Sequence, residues 1–223
     1  MNSILKRLFS QRTEFKADGL ILDDVPDINR ISKVPGKFCA PRKLDFRDMC
    51  IPTSDQARSP HCTGYATAGY IEVQNWRKLH YPEQVDGDKI YFQAKELDHY
   101  PADGTWIHIA TKAALNLDLI DGQIEYIESN RRALQFAIHE YLVCIGSFEI
   151  TDEWNAINRK GIIPNWGADK QSIGGHAVLI CGYDPDGIYI QNSWSRSWGL
   201  YGFGFLSWEQ FDRQFKYGLV FNS

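Results

Sequence analysis

The chain has 223 residues, 43 % of them apolar and 13 % aromatic, and a formal net charge of −4. That length suits one large domain or two lobes that share a cleft, with enough apolar material for a substantial core. No long basic run is present, which argues against nucleic acid as the main partner, and the longest apolar runs, such as "AVLI" at 177–180, are too short to span a membrane.

The chain opens "MNSILKRLFSQRTEFK". Lys6 and Arg7 interrupt its only apolar stretch, so no Sec-type signal peptide is expected, and the protein is placed in the cytoplasm or exported by another route. Residues 1–43 are broken by Asp-Gly, by Pro26 and Pro35 and by acidic residues, which argues against a long helix. This stretch reads as an extended arm with one short strand at Leu20–Leu22. Two placements are open for it: a strap packed on the β part of the molecule, or a segment lying across a cleft and limiting access to it.

From Cys62 to about Leu79 the apolar and small residues Tyr65, Ala66, Gly69, Tyr70, Val73, Trp76 and Leu79 recur at steps of three and four, a helical period. Further helices are predicted over 88–99, opening on an Asp cap, over 105–117 just after "ADGT", and over 130–140. The period then changes. The stretches 141–150, 176–184, 187–194 and 201–206 are rich in β-branched and aromatic residues and are bounded by Gly and Asp turns, as strands are. Helices first and strands later predict an α+β fold with a helical lobe at about 55–130 and an antiparallel β lobe at about 131–223. A cleft between two such lobes is a natural ligand site.

Five cysteines are present, Cys39, Cys50, Cys62, Cys144 and Cys181, an odd count with no C-x-x-C pair, which argues against a zinc site. Cys144 and Cys181 fall in strand-like apolar runs, where a cysteine acts as a small hydrophobe. A Cys39–Cys50 bridge is conceivable, but without a signal peptide reduced thiols are expected.

Cys62 stands where the loop "DQARSPH" becomes a helix. It could be an inert packed residue. Its position in the field of the first helical N–H groups also favours thiolate, and hence nucleophilicity. A nucleophilic thiol needs a base and the base needs an orienter. His176 stands in "SIGGHAVLICGYD" at the mouth of a buried strand, and Asn192 in "YIQNSWSRSW" at the end of the next. If a turn at "DPDG" makes these strands a hairpin, the two residues meet at one end. The Asn192 oxygen could then fix the imidazole, with Trp194 covering that bond from water. Gln56 could supply an oxyanion donor together with the Cys62 N–H. His61 adjoins the nucleophile, but a neighbour at a helix start points elsewhere. His80, His99, His108 and His139 read as structural. No H-E-x-x-H, G-x-S-x-G or phosphate loop occurs.

In order and setting, Gln56, Cys62, His176 and Asn192 resemble the catalytic set of the papain family of cysteine peptidases. "NSWSRSWG" at 192–199 is similar to that family's "NSWGxxWG", and "LDFRDMCIPTSDQ" at 44–56 to its mature start. The resemblance covers about residues 44–223. Thr63 stands where animal and plant members have Trp, Ser59 where they have a cysteine, and Ala57 where they have a glycine, and the cysteines near "ADGT" are missing. These features resemble the bacterial branch, without a long inhibitory propeptide. The resemblance implies a monomeric thiol endopeptidase acting on proteins or peptides through an acyl-enzyme, with no metal or organic cofactor. Cys62 would be the nucleophile, His176 the proton carrier, Asn192 its orienter and Gln56 the oxyanion donor. Gly104 would pair with the substrate backbone, and Gly174, Gly175 and Trp194 would line the substrate cleft. The same residues could run amidase, transglutaminase-like or peptide-ligase chemistry, and a binding protein that kept only the cleft is the non-enzymatic alternative.

Overall fold

The computed structural model of the chain describes residues 19–22, 33–165 and 170–222. The N-terminal stretch read against a signal peptide, and the arm from Asp23 to Ser32, lie outside the described residues.

The helical lobe is built on α1 (Cys62–Leu79). Its inner face buries Ala66, Tyr70, Ile71 and Val73, following the three-and-four spacing of the sequence. It stops at His80, which turns left-handed (φ 52°) with its N–H on the Trp76 carbonyl. The helix α2 (Gly87–Asp98) is capped by Asp86, whose side chain accepts from the Lys89 N–H. The cap is therefore two residues before the Asp88 of the sequence reading. These helices approach closely because a Cβ on Gly64 would sit 2.2 Å from the Gly87 carbonyl oxygen. The third helix, α3 (Ile107–Asn116), starts two residues later than expected.

The strands form one antiparallel sheet in the order β2-β7-β3-β4-β5-β6, with β1 (Leu44–Asp45) paired to β4. The expected strands appear as β3 (Cys144–Ile150), β4 (Gly174–Tyr183), β5 (Gly187–Gln191) and β6 (Phe203–Ser207). Three strands are additional: β1, the edge strand β2 (Gln123–Ile127), and β7 (Phe215–Asn222), which pairs with β2 and β3. The sheet thus begins before residue 131, inside the stretch assigned to the helical lobe. The helix α4 (Arg131–Tyr141), capped by Asn130, packs on the sheet. The last helix, α5 (Trp208–Gln214), opens on a capping box of Ser207 and Gln210.

The two described parts of the arm do different things. Around Pro35, Gly36 and Phe38 the chain is strapped to α4, since the Arg132 guanidinium donates to all three carbonyls at 3.0–3.2 Å. The Phe38 ring also packs edge-on against Phe136. Residues 19–22 instead lie between the lobes. Leu20 bridges Thr105, just before α3, in parallel and Gly175, at the start of β4, antiparallel. The Ile21 N–H donates to the Thr105 carbonyl (3.1 Å) and the Thr105 N–H to the Gly19 carbonyl (3.2 Å). Leu20 is only 4 % exposed. The described stretches of the arm thus contact α4 at one point and Thr105 and Gly175 at another. None of the five cysteines is in a disulfide, so the conceivable Cys39–Cys50 bridge is absent.

Candidate active site

Cys62 is the first residue of α1 and is 0 % exposed. His176 is the third residue of β4 and equally buried. The turn at Asp184–Gly187 closes β4 onto β5, with the Asp184 carboxylate accepting from the Asp186 and Gly187 N–H groups. That hairpin carries His176 and Asn192 to one end, where His176 Nε2 lies 2.8 Å from Asn192 Oδ1.

The protonation pattern follows from one backbone donor. The Ser193 N–H also points at Asn192 Oδ1 (2.8 Å). A backbone N–H can only donate, so that atom is the amide oxygen, and the His176 nitrogen facing it must donate too. In the neutral ring the proton is then on Nε2 and the lone pair on Nδ1. His176 Nδ1 is buried and has no hydrogen-bond partner among the described residues. It is a base held with its accepting atom unsatisfied. Burial pushes the His176 pKa down to about 4, partly offset by Asn192. With the arm docked, the imidazole is therefore neutral at physiological pH.

Two tryptophans pack on this ring and a third backs them. Trp194 packs over it (centroids 4.5 Å apart, 34° tilt), Trp154 meets it edge-on at 5.9 Å, and Trp198 stacks on Trp154. Trp194 is wholly buried, with its ring against that of His176. Trp154 was not among the residues singled out in the sequence. It sits in a short 3₁₀ turn after β3, and only long-range packing brings it to His176.

Gln56 is 3 % exposed and tied to the same strand end. Its N–H donates to the Ser193 carbonyl, and its side-chain oxygen accepts from the Ser193 hydroxyl. Its amide nitrogen donates one hydrogen to the Ser59 carbonyl at 2.7 Å, and an oxyanion role needs the other. Ser193 thus links Gln56 to Asn192, a connection hidden in the "NSW" of the sequence. Ala57 adopts φ 52°, the left-handed region where a glycine is at ease. An Asp55 side-chain acceptor for its N–H (2.8 Å) supports the turn.

The arm reaches this centre. A Cβ added to Gly19 would lie 2.8 Å from Cys62 Sγ and 2.4 Å from the Pro60 carbonyl oxygen. One added to Gly175, next to His176, would lie 2.3 Å from the Leu20 carbonyl oxygen. The glycines at 19 and 175 let arm backbone and cleft backbone meet beside Cys62 and His176. Gly174 is half-buried and turns at φ 140° ahead of it. The arm pairs in the cleft with Thr105, the residue after Gly104. Both backbone groups of Gly104 are engaged elsewhere: its N–H donates to Tyr91 Oη (3.0 Å) and its carbonyl accepts from Lys95 Nζ (2.9 Å). His61 points away from the cleft, with Nδ1 2.7 Å from Asp88 and its ring stacked on Tyr91.

A family model described as papain family cysteine protease matches residues 87–213, more than half of the chain. The matched stretch includes His176 and Asn192 and begins after Gln56 and Cys62. Among proteins with curated descriptions, none matches the chain in sequence. Among solved structures, the chain is similar to xylellain, a cysteine protease from Xylella fastidiosa, with a TM-score of 0.78 and 19 % identity over 93 % of this chain and 97 % of that one. It is also similar to the digestive procathepsin L2 of Tenebrio molitor (TM-score 0.71, 17 % identity, 93 % and 78 % covered). Procathepsin B of Trypanosoma congolense superposes with a TM-score of 0.71 at 9 % identity, over 92 % of this chain and 86 % of that one. At such identities these likenesses establish the papain-like fold, and together with the family match they give the conclusion that the chain belongs to the papain family of cysteine proteases.

Proposed function

We propose that the chain is a cysteine endopeptidase that hydrolyses peptide bonds through a thioester acyl-enzyme, and that the form with residues 19–22 in the cleft is latent. The observation that carries the reading is the fixed tautomer of His176, a buried imidazole whose basic nitrogen has no partner among the described residues. Leaving such a group unsatisfied costs about 1–3 kcal/mol, which a purely binding cleft has no reason to bear.

In the mechanism the arm first leaves, and water and substrate reach His176. Its pKa then returns toward the ordinary value of 6.5. The imidazole takes the Cys62 proton on Nδ1, and the helix start of α1 and the imidazolium stabilise the thiolate. Sulfur attacks the substrate carbonyl, and the Cys62 N–H and the second Gln56 amide hydrogen receive the oxyanion. The intermediate collapses and the leaving amine takes the proton from Nδ1. Water, deprotonated by the same nitrogen, then opens the thioester and frees the carboxylic acid and the thiol. Asn192 keeps the ring in register throughout, and Trp194 shields that bond from water.

The test is cleavage of a peptide library in H₂¹⁸O by the full chain and by the arm-weakened Gly19→Ala form. Hydrolysis puts one ¹⁸O into each new carboxyl group. Transfer to an added amine with no ¹⁸O would support the transferase alternative, and binding without product from either form would support the non-catalytic one.

A further inference from the structure

Tyr91 and Lys95 stand one turn apart on α2, on the side that meets the loop 98–104. The Lys95 ammonium donates to the carbonyls of Tyr100 (2.8 Å), Ala102 (2.9 Å) and Gly104 (2.9 Å), and lies 3.2 Å from the Asp98 carboxylate. An ammonium has three hydrogens, and three alternate carbonyls take them while the carboxylate supplies the balancing charge. Tyr91 Oη meanwhile accepts the Gly104 N–H at 3.0 Å, and burial raises its pKa, which keeps it a neutral phenol. Two side chains of one helix thus hold both backbone groups of Gly104, which turns at φ 86°. The next residue is Thr105, whose N–H and C=O face the cleft and pair there with Gly19 and Ile21. No cysteine occurs between Cys62 and Cys144, so no disulfide braces this loop.

We propose that Lys95 and Tyr91 are positioning residues that set the Thr105 edge, the backbone rail on which both the arm and an extended peptide substrate pair. The substrate half of this inference rests on the peptidase reading above. The arm half stands without it.

The test uses the full chain with Lys95→Met, which keeps the length of the side chain and removes the ammonium, and with Tyr91→Phe. The first readout is alkylation by iodoacetamide, followed by mass spectrometry at each cysteine. Cys62 is fully buried with Gly19 of the arm against its sulfur, so its rate is expected to report arm release, while Cys144, buried in the sheet, reports loss of the fold. About tenfold faster reaction at Cys62 with Cys144 unchanged is expected for Lys95→Met, equivalent to about 1.4 kcal/mol. Tyr91→Phe should shift Cys62 in the same direction. The second readout is the ratio of kcat/KM for an extended peptide to that for a single-residue ester. Arm release affects both substrates equally and cancels from the ratio, which should fall about tenfold. A Cys62 rate within a factor of two of wild type, parallel rises at Cys62 and Cys144, or an unchanged ratio would each overturn the proposal. Wild-type chain that cleaves no peptide would defeat the peptidase reading, and the alkylation comparison would still decide the role of Lys95.

Discussion

Replacing Gly19 with alanine puts a methyl group where the docked arm has no room. Its carbon would lie 2.4 Å from the Pro60 carbonyl oxygen and 2.8 Å from Cys62 Sγ. Pro60 is backbone just ahead of α1, so the arm, held at Thr105 by two hydrogen bonds, is the part that gives. Forcing a methyl group into a packed contact costs about 1–3 kcal/mol. At 1.4 kcal/mol per factor of ten, the arm-open population should rise about 5- to 150-fold. The assay is the second-order rate of Cys62 alkylation in the full chain, since a fully buried thiol reacts only from the open form. Gly36→Ala is the matched control, because a Cβ there meets nothing within 4 Å. If Gly19→Ala and Gly36→Ala both alkylate at the wild-type rate with unchanged Tm, the arm does not limit access and the latent form is misread.

Three further outcomes follow from local geometry. Burial holds the His176 pKa at about 4, and release of the arm, whose Leu20 carbonyl lies against the neighbouring Gly175, is expected to let it rise toward the ordinary 6.5. The released form therefore binds a proton between those values and the docked form does not, so docking should weaken as pH falls through that window, by up to about tenfold per unit. Hydrogen exchange at the Ile21 amide, corrected for intrinsic pH dependence, should lose protection from pH 6.5 toward 4, and flat protection would contradict the burial argument. Glu72 is 5 % exposed, and burial pushes its pKa up to about 7 despite the N–H it accepts from Val85. Its unfolded form releases a proton from about pH 4.5 upward, so this group's destabilising effect grows as pH rises toward 7. Glu72→Gln, which still accepts from Val85, should gain Tm over wild type at pH 8 and little at pH 4.5. Two Tm curves that stay parallel across that range would exclude it. Ala57→Gly should relieve the left-handed strain at φ 52°, raising stability by up to about 1 kcal/mol, or about 2–4 °C. A lower Tm would mean that the Asp55 turn already absorbs that strain.

The parts of the fold that were legible in the sequence are those fixed locally. The period of α1 and the glycine and aspartate turn between β4 and β5 are short-range features, and they were enough to bring His176 and Asn192 together. β2 and β7 gave a weaker signal: "QIEYI" is a short edge strand, and "FKYGLVFN" follows a helix directly and is fixed by long-range pairing with β2 and β3. The helix α5 did carry a readable sign, the Ser207–Gln210 capping box, which the aromatic runs around it obscured. Gly104 is expected as a substrate-pairing residue only from the resemblance of "ADGT" to a family segment, which carries no information on how the loop is held. Which N–H faces the cleft is instead decided by Tyr91 and Lys95, on a helix a dozen residues away. Trp154 and Ser193 reach the site through long-range packing and through a backbone N–H, neither of which leaves a spacing to read.

The most direct measurement of the central claim, that Cys62 is the nucleophile and His176 its proton carrier, is peptide turnover by wild type, Cys62→Ala and His176→Ala, with an epoxide-type thiol reagent mapped by mass spectrometry. The expected result is one adduct per chain on Cys62, no turnover by Cys62→Ala, and a loss of roughly 10²–10⁴-fold in His176→Ala. A Cys62→Ala chain that keeps a tenth of wild-type turnover, or an adduct on Cys39 or Cys50 in place of Cys62, would contradict it.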